Sequence, residues 1–251
     1  MIPFFKKLRK RFADDNKPMK YTRYAIGEIV LVVIGILIAL QINNWKENRK
    51  SKIRANEIYT NLLTSLEQDS IEVQRTINLL TQSLETQKRL ILSERDQYTN
   101  EFNQDDLDRI IQEIVNGVMS FFPKTGIYEL ITSSNSMDLL KSEKIKSLLI
   151  NLYDFQYKRY ENVDAIVDNK YHYELIALVR EKIKYVGTFN SESEFEVLTH
   201  VDQVRFNEYH DELVSECRDV HSLLSTGNNY LIQINESINE LIPLLREELK
   251  K

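Results

Sequence analysis

The side chains that could carry chemistry are few and scattered. There are four histidines, His172, His200, His210 and His221, and a single cysteine, Cys217. Metal capture wants His, Cys or carboxylate ligands at recurrent spacing, and neither His-Glu-x-x-His nor Cys-x-x-Cys occurs. Asp168 and His172 are four apart and share a helical face, and His210 and His221 lie three turns apart, but such pairs arise readily in a helical, acidic chain. Ser133 and Ser134 lack the Gly-x-Ser-x-Gly elbow that exposes a nucleophile, so they read as turn or cap serines. Six scattered glycines form no phosphate-cradling loop. Cys217 falls on one face with Leu213, Val214, Val220 and Leu224, the setting of a small buried hydrophobe. No catalytic residue, cofactor or metal is expected, and an enzyme is the weakest function class.

Two features deserve a chemical reading of their own. Tyrosine recurs at 153, 157, 160, 171 and 173. These rings are expected to pack along a helical bundle with their hydroxyls at its edge, or else to line a ligand cleft. The other is Glu28, the one charge in Ala25–Ile42, whose heart, Ile29–Leu40, has no polar side chain. Eighteen helical residues span about 27 Å, close to the hydrocarbon thickness of a bilayer, so residues 24–45 are expected to be a transmembrane anchor. An intramembrane carboxylate is either functional, as a proton site or interhelical contact, or snorkels toward Lys20 or Arg23. Gly35 and Ala39 make one small-xxx-small pair for span packing.

The flanks set the expected orientation. Eight basic residues precede the span within 1–23 and five follow it by Arg54. Basic segments are retained in the cytoplasm, so residues 1–23 form a cytoplasmic leader and 46–251 a periplasmic domain of a single-pass inner-membrane protein. Tyr21, Tyr24 and Trp45 suit the two interfaces. No small-x-small cleavage site follows the apolar run, which argues for a retained signal anchor. In the leader, Phe4, Phe5, Leu8 and Phe12 share one face, suited to a short helix in the anionic leaflet; an unstructured positive tail is the alternative.

Charge divides the chain in the same place. Residues 1–54 hold 13 basic and 4 acidic residues, net +9, and the remainder holds 20 and 34, net -14. An acidic exterior repels phosphate backbones, which excludes nucleic acid as a partner.

The elements that must position these residues are helical. From Ile36 through Asn116 there is neither Gly nor Pro, so one helix is expected from the span to about Leu92. Tyr59, Leu63, Leu66, Val73, Ile77, Leu80, Leu84 and Ile91 would form its seam, with Ser70 and Gln87 at polar positions. A helix over 105–116 and a short one over 126–133 follow. A second long helix, capped by Ser142, stops at Gly187. Ser191-Glu192-Ser193-Glu194 reads as a capping box opening a short helix. The last long helix runs from about Asp202 to Leu249, with Gly227 and Pro243 as places for fraying or a kink. The expected fold is all-α: an N-terminal transmembrane helix, then an elongated bundle of three long helices running up, down and up. Residues 93–141 would cap the distal tip, and the loop 187–201 would return near the bilayer.

The run from Ala25 to Trp45 (AIGEIVLVVIGILIALQINNW) resembles the N-terminal signature of a domain-of-unknown-function family of single-span proteins of Gram-negative bacteria. A second likeness lies in Pro123-Lys124-Thr125-Gly126-Ile127-Tyr128-Glu129-Leu130-Ile131-Thr132-Ser133-Ser134, continuing to Tyr153; members usually carry Gly where this chain has Ser134. The resemblance implies membrane location and helical architecture but no reaction. It singles out Pro123, Tyr128, Leu130, Ser133 and Ser134 as the motif region.

Two functions fit. One is a non-enzymatic interaction or scaffold module of the envelope, with the bilayer and another envelope protein or a second copy as partners. The other is an extracytoplasmic ligand sensor that signals through a partner membrane protein. A buried polar cavity between residues 118–160 and the long helices would favour sensing, and a continuous exposed apolar stripe would favour assembly.

Overall fold

A computed structural model describes residues 18–93, 103–185, 188–189, 191–193, 195–196 and 200–250. The leader helix expected over 2–12 lies outside them, as do the side chains of Tyr21 and Tyr24. The first element, α1, is a single helix Pro18–Leu92 of 75 residues, as the missing Gly and Pro punctuation requires. The chain divides into two compact units, Met1–Ala55 and Asn56–Lys251. In the first unit every large apolar side chain from Ile26 to Ile42 is exposed. An 18-residue window of this helix has mean hydropathy 2.6 with none of it buried, so it is long and apolar enough to cross a membrane.

The second unit is helical, and its elements run antiparallel. After α1 come α2 (Gln104–Val115), α3 (Gly126–Ser133) and a 3₁₀ turn, Ser136–Leu139. The helical run α4 covers 143–183, and α5 is Gln203–Leu249. Three of these starts carry a side-chain cap, the one at Ser142 as expected. Asn103 accepts from the Asp106 N–H at 2.9 Å, Ser142 from Ile145 at 3.3 Å, and Asp202 from Val204 and Arg205 at 3.0 and 3.1 Å.

The all-α class stands, with three long helices, but the path between them differs from expectation. Residues 104–141 do not cap a tip. Glu113 accepts from Gln82 and Thr86, the Lys124 N–H reaches Asp69, and the Lys141 N–H reaches the Tyr59 hydroxyl at 3.1 Å. The segment therefore runs back down α1 as a fourth, irregular rib. The cause is its apolar load. Leu107, Ile110, Ile114, Phe121, Tyr128 and Ile131 are buried, and a cap at one end could not cover residues spread over its whole length. So α4 ascends, with Tyr157 on Asp69 and Tyr171 on the Ile114 carbonyl. Helix α5 descends, pairing Glu216 with Lys170, Glu240 with Lys144 and Arg246 with Glu67. The order is up, down, up, down. The connection between α4 and α5 accordingly sits toward the Leu92 end, where Gln104 donates to the Val201 carbonyl and Val201 N–H to Asp108. It does not return beside residue 56.

Three local expectations also change. Helix α4 stops at Lys184, which takes the left-handed region at φ 64°, and Gly187 lies outside the described residues. The proposed capping box does not open a helix. Residues 191–193 turn between two-residue strands, β1 (Thr188–Phe189) and β2 (Phe195–Glu196), which pair antiparallel. With Asp202 already capping α5, too few residues remain to repay helix nucleation. Neither Gly227 nor Pro243 ends the helix: both lie inside α5, where buried Leu224, Leu231, Leu241 and Leu245 hold the helix by packing.

The α1 seam is turned by about one position. The buried series is Tyr59, Leu62, Leu66, Asp69, Val73, Thr76, Leu80, Ser83, Gln87 and Leu90, an unbroken 3–4 spacing. Leu63, Ser70, Ile77 and Leu84 flank it, half-buried. One heptad position thus reads Leu62, Asp69, Thr76, Ser83, Leu90, polar at its three central places. At Ser83 the reason is steric. A Cβ on Gly117 would come within 2.2 Å of the Ser83 Oγ and 2.5 Å of the Glu113 carbonyl oxygen, so the irregular rib crosses α1 where a small residue meets a glycine.

Replacing Gly117 by Ala forces these atoms apart. The Gly117→Ala chain in detergent should melt earlier, by about 1–3 kcal/mol of stability. Combining it with Ser83→Gly should recover part of the loss in the same circular-dichroism melts. An unchanged melting temperature in the single variant would refute the close approach.

Candidate functional site

The rib's unpaired backbone donors are met by side chains of α1 and α4. Between Val115 and Gly126 the chain has no helix to satisfy its N–H groups, and a buried amide without an acceptor is costly. The Tyr171 hydroxyl donates to the Ile114 carbonyl and accepts from the Gly117 N–H at 3.0 Å. The Tyr160 hydroxyl accepts from the Phe121 N–H at 3.2 Å and donates to Asp164 at 2.8 Å. Asp69, fully buried, accepts the Lys124 N–H at 3.2 Å on each oxygen, the Lys124 ammonium at 3.2 Å and the Tyr157 hydroxyl at 3.1 Å. Glu72 holds the same ammonium at 3.0 Å.

Around these bonds the rings assemble. Tyr128 stacks on Tyr153 with centroids 4.4 Å apart and planes 6° from parallel. Tyr157 meets Tyr153 edge-on at 5.0 Å and Phe121 at 5.9 Å. Helix α4 is wound as a π-helix over Asn151–Tyr157, the turns that carry Tyr153, Asp154 and Tyr157. Two further π stretches, Tyr171–Leu175 and Val179–Ile183, follow. Such widened turns recur at functional sites because they re-aim side chains that regular spacing would separate.

The result is a cleft of about 670 Å³ between the rib and α4. Phe121, Tyr128, Tyr153, Tyr157 and Tyr160 wall it; Glu129, Asp154, Glu161 and Asp164 supply carboxylates, against one cation, Lys158. The Tyr128 hydroxyl donates to Asp154 at 2.7 Å, and Lys158 pairs with the same carboxylate at 3.0 Å; both hold its carboxyl below the usual range. Burial pushes the Asp164 carboxyl upward, against the hydrogen bonds of Tyr160 and Ser120. Tyr153 is 3 % exposed and its hydroxyl has no partner among the described residues.

The residues singled out in the sequence divide. Pro123 and Tyr128 line the cleft. Leu130 is exposed, and Ser133 and Ser134 donate to the Leu130 carbonyl at the end of α3, the cap role expected of them. Ser134 has φ -91°, and the left-handed residue is Asn135 at φ 50°, so the absence of a glycine at 134 strains nothing. Tyr153, Tyr157 and Tyr160 enter the cleft, Tyr171 is buried beside Gly117, and Tyr173 is exposed. Cys217 is fully buried, its thiol pushed up to about 12 by burial. Glu28, Gly35, Ala39 and Trp45 belong to the first unit; Trp45 is exposed and carries the Arg49 guanidinium 5.8 Å above its ring. His172 pairs with Asp168 at 3.2 Å. Sequence reasoning missed Asp69, Asp154 and Asp164. Asp69 had one available signal, a carboxylate at a heptad position between Leu62 and Thr76.

The model of a family of unknown function, DUF6090, matches residues 28–189, which include Asp69 and every residue lining the cleft. No curated protein and no solved structure matches the chain.

Asp69→Ala would leave the Lys124 N–H and the Tyr157 hydroxyl without their acceptor, a loss of about 3 kcal/mol in thermal or chemical unfolding. Charge acts in the opposite sense. Burial raises the Asp69 carboxyl above its ordinary value, outweighing the hydrogen bonds of Lys124 and Tyr157. The folded state then keeps its proton longer than the unfolded one, whose value is about 3.9. This contribution is complete below that pH and is lost as pH rises through the folded value. The stability of the native chain minus that of Asp69→Asn should therefore fall as pH rises above about 4. A difference that grows with pH would contradict the burial argument.

Proposed function

This chain belongs to the DUF6090 family of unknown function, and from that premise we propose that it is a membrane-anchored, non-enzymatic interaction module whose recognition element is the aromatic, acid-rimmed cleft. The cleft is the single observation that carries the reading of recognition rather than reaction. Its polar groups are engaged in holding one another: Tyr128 with Asp154, Tyr160 with Asp164, Tyr157 with Asp69. That arrangement suits shape and charge recognition better than proton transfer to a reacting group.

The anchor supports it. A helix apolar on every face from Ile29 to Leu40, with its large apolar side chains from Ile26 to Ile42 exposed, suits lipid, since a core-facing helix in water would keep a polar side. The excess of basic residues before the span supports an N-terminus in the cytoplasm and a helical unit in the periplasm, at the inner membrane of a bacterial envelope. Another envelope protein or a second copy of the chain is the macromolecular partner on this reading, with no nucleic acid.

A sensor that signals through a partner membrane protein is the second reading, and one observation favours it. The cleft lies between 121–132 and α4, where sensing was expected to need it, and its wall residue Tyr157 donates to Asp69 on α1, the helix that also contains the apolar stretch.

Fusing a periplasm-dependent reporter after Lys251 should give activity, and a cytoplasm-dependent reporter should not. The reverse pattern would overturn the orientation and with it the envelope partner. Leu31→Lys with Ile34→Lys, each costing about 2.5–3.5 kcal/mol in the bilayer centre, should release the chain from carbonate-washed membranes.

A further inference from the structure

We infer that the cleft binds a small organic cation, an ammonium or guanidinium head on a short apolar body. The inference rests on the cleft being a recognition site and names what it recognises. Three independent features converge on positive charge. The first is the walls: Phe121, Tyr128, Tyr153, Tyr157 and Tyr160 line the cleft, and aromatic rings attract cations, most strongly where water is excluded.

The second is the direction of the phenolic protons. Tyr128 donates to Asp154, Tyr160 to Asp164 and Tyr157 to Asp69. Each phenol gives its proton to a carboxylate, which leaves the oxygen lone pairs and the ring richer in electrons. An anion entering here would meet carboxylates and phenolic oxygens, with Lys158 already paired to Asp154. Net charge over the lining side chains is negative, with Glu129, Asp154, Glu161 and Asp164 against Lys158.

The third is Tyr153. It lines the cleft, is almost fully buried, and its hydroxyl oxygen has no partner among the described residues. A hydroxyl so placed can accept an N–H from an ammonium or guanidinium group or donate to an anion, and the surrounding carboxylates disfavour the anion. The volume of about 670 Å³ suits a small molecule, within the ordinary range of ligand clefts.

The test is titration calorimetry on the full chain in a non-ionic detergent, with choline and agmatine as cations and 3,3-dimethylbutanol as the neutral counterpart of choline. At least one cation should bind about tenfold more tightly than the neutral alcohol. Glu161→Gln, an exposed change on the cleft wall, should weaken the cation several-fold and leave the alcohol unaffected. Tyr153→Phe, which keeps the stack and removes the oxygen, should weaken agmatine while the melting temperature holds. Equal binding of choline and the alcohol would overturn the charge class and leave the recognition reading standing. No heat from either cation, with a cooperative melt showing the protein folded, would overturn the inference outright. Membrane retention is read separately, so neither result bears on the anchor.

Discussion

The second unit depends on a mismatch between a regular helix and an irregular neighbour. Residues 118–125 must lie against α1 in order to bury Phe121 and to bring Lys141 down beside Tyr59, yet they carry backbone donors that no helix satisfies. The seam of α1 answers with polar or small residues at one heptad position, Asp69, Thr76 and Ser83. A fully apolar seam would be the stronger bundle core, but it would orphan the Lys124 amide and collide with the chain at Gly117. Lys124 fits this scheme twice, because its backbone N–H and its ammonium both end on Asp69. Burial alone would lower the Lys124 ammonium, but the hydrogen bonds to Glu72 and Asp69 more than offset it and raise its pKa.

Helix α4 is the other half of the same arrangement. Regular i, i+4 spacing would place tyrosines 153, 157 and 160 along a stripe. The π turns over Asn151–Tyr157 change that stripe's aim, so that Tyr153 stacks on Tyr128 while Tyr157 reaches Asp69. The second π stretch begins at Tyr171, whose hydroxyl serves the Ile114 carbonyl and the Gly117 amide together. Holding the rib and forming a cleft wall are therefore done by the same rings. Rings already fixed by hydrogen bonds lose little freedom when a ligand arrives, which favours binding.

Much of this was legible in order and kind. Helix positions, the cap at Ser142, the buried Cys217 and the cap role of Ser133 and Ser134 follow from local pattern, because each depends on residues within a turn or two of one another. The tyrosine cluster was visible, with the cleft as one of its two readings. The partners of those tyrosines were not. Asp154 and Asp164 look like ordinary solvated carboxylates on a helix, and only their position opposite the rib distinguishes them.

By itself, the sequence determined the helical class, the length of α1 and the uninterrupted apolar stretch within it, since these rest on composition and spacing along one element. Tertiary structure decided the rest. Periodicity names a helix's apolar stripe to within about one position, and a rotation that small separates the expected seam through Leu63 and Ile77 from the real one through Leu62 and Thr76. Direction of travel is likewise invisible locally: residues 104–141 could have capped a tip until their buried face required the length of α1. A cleft made by residues 121–132 and 153–164 exists only once two segments separated in the chain are laid side by side, and no local pattern encodes that pairing.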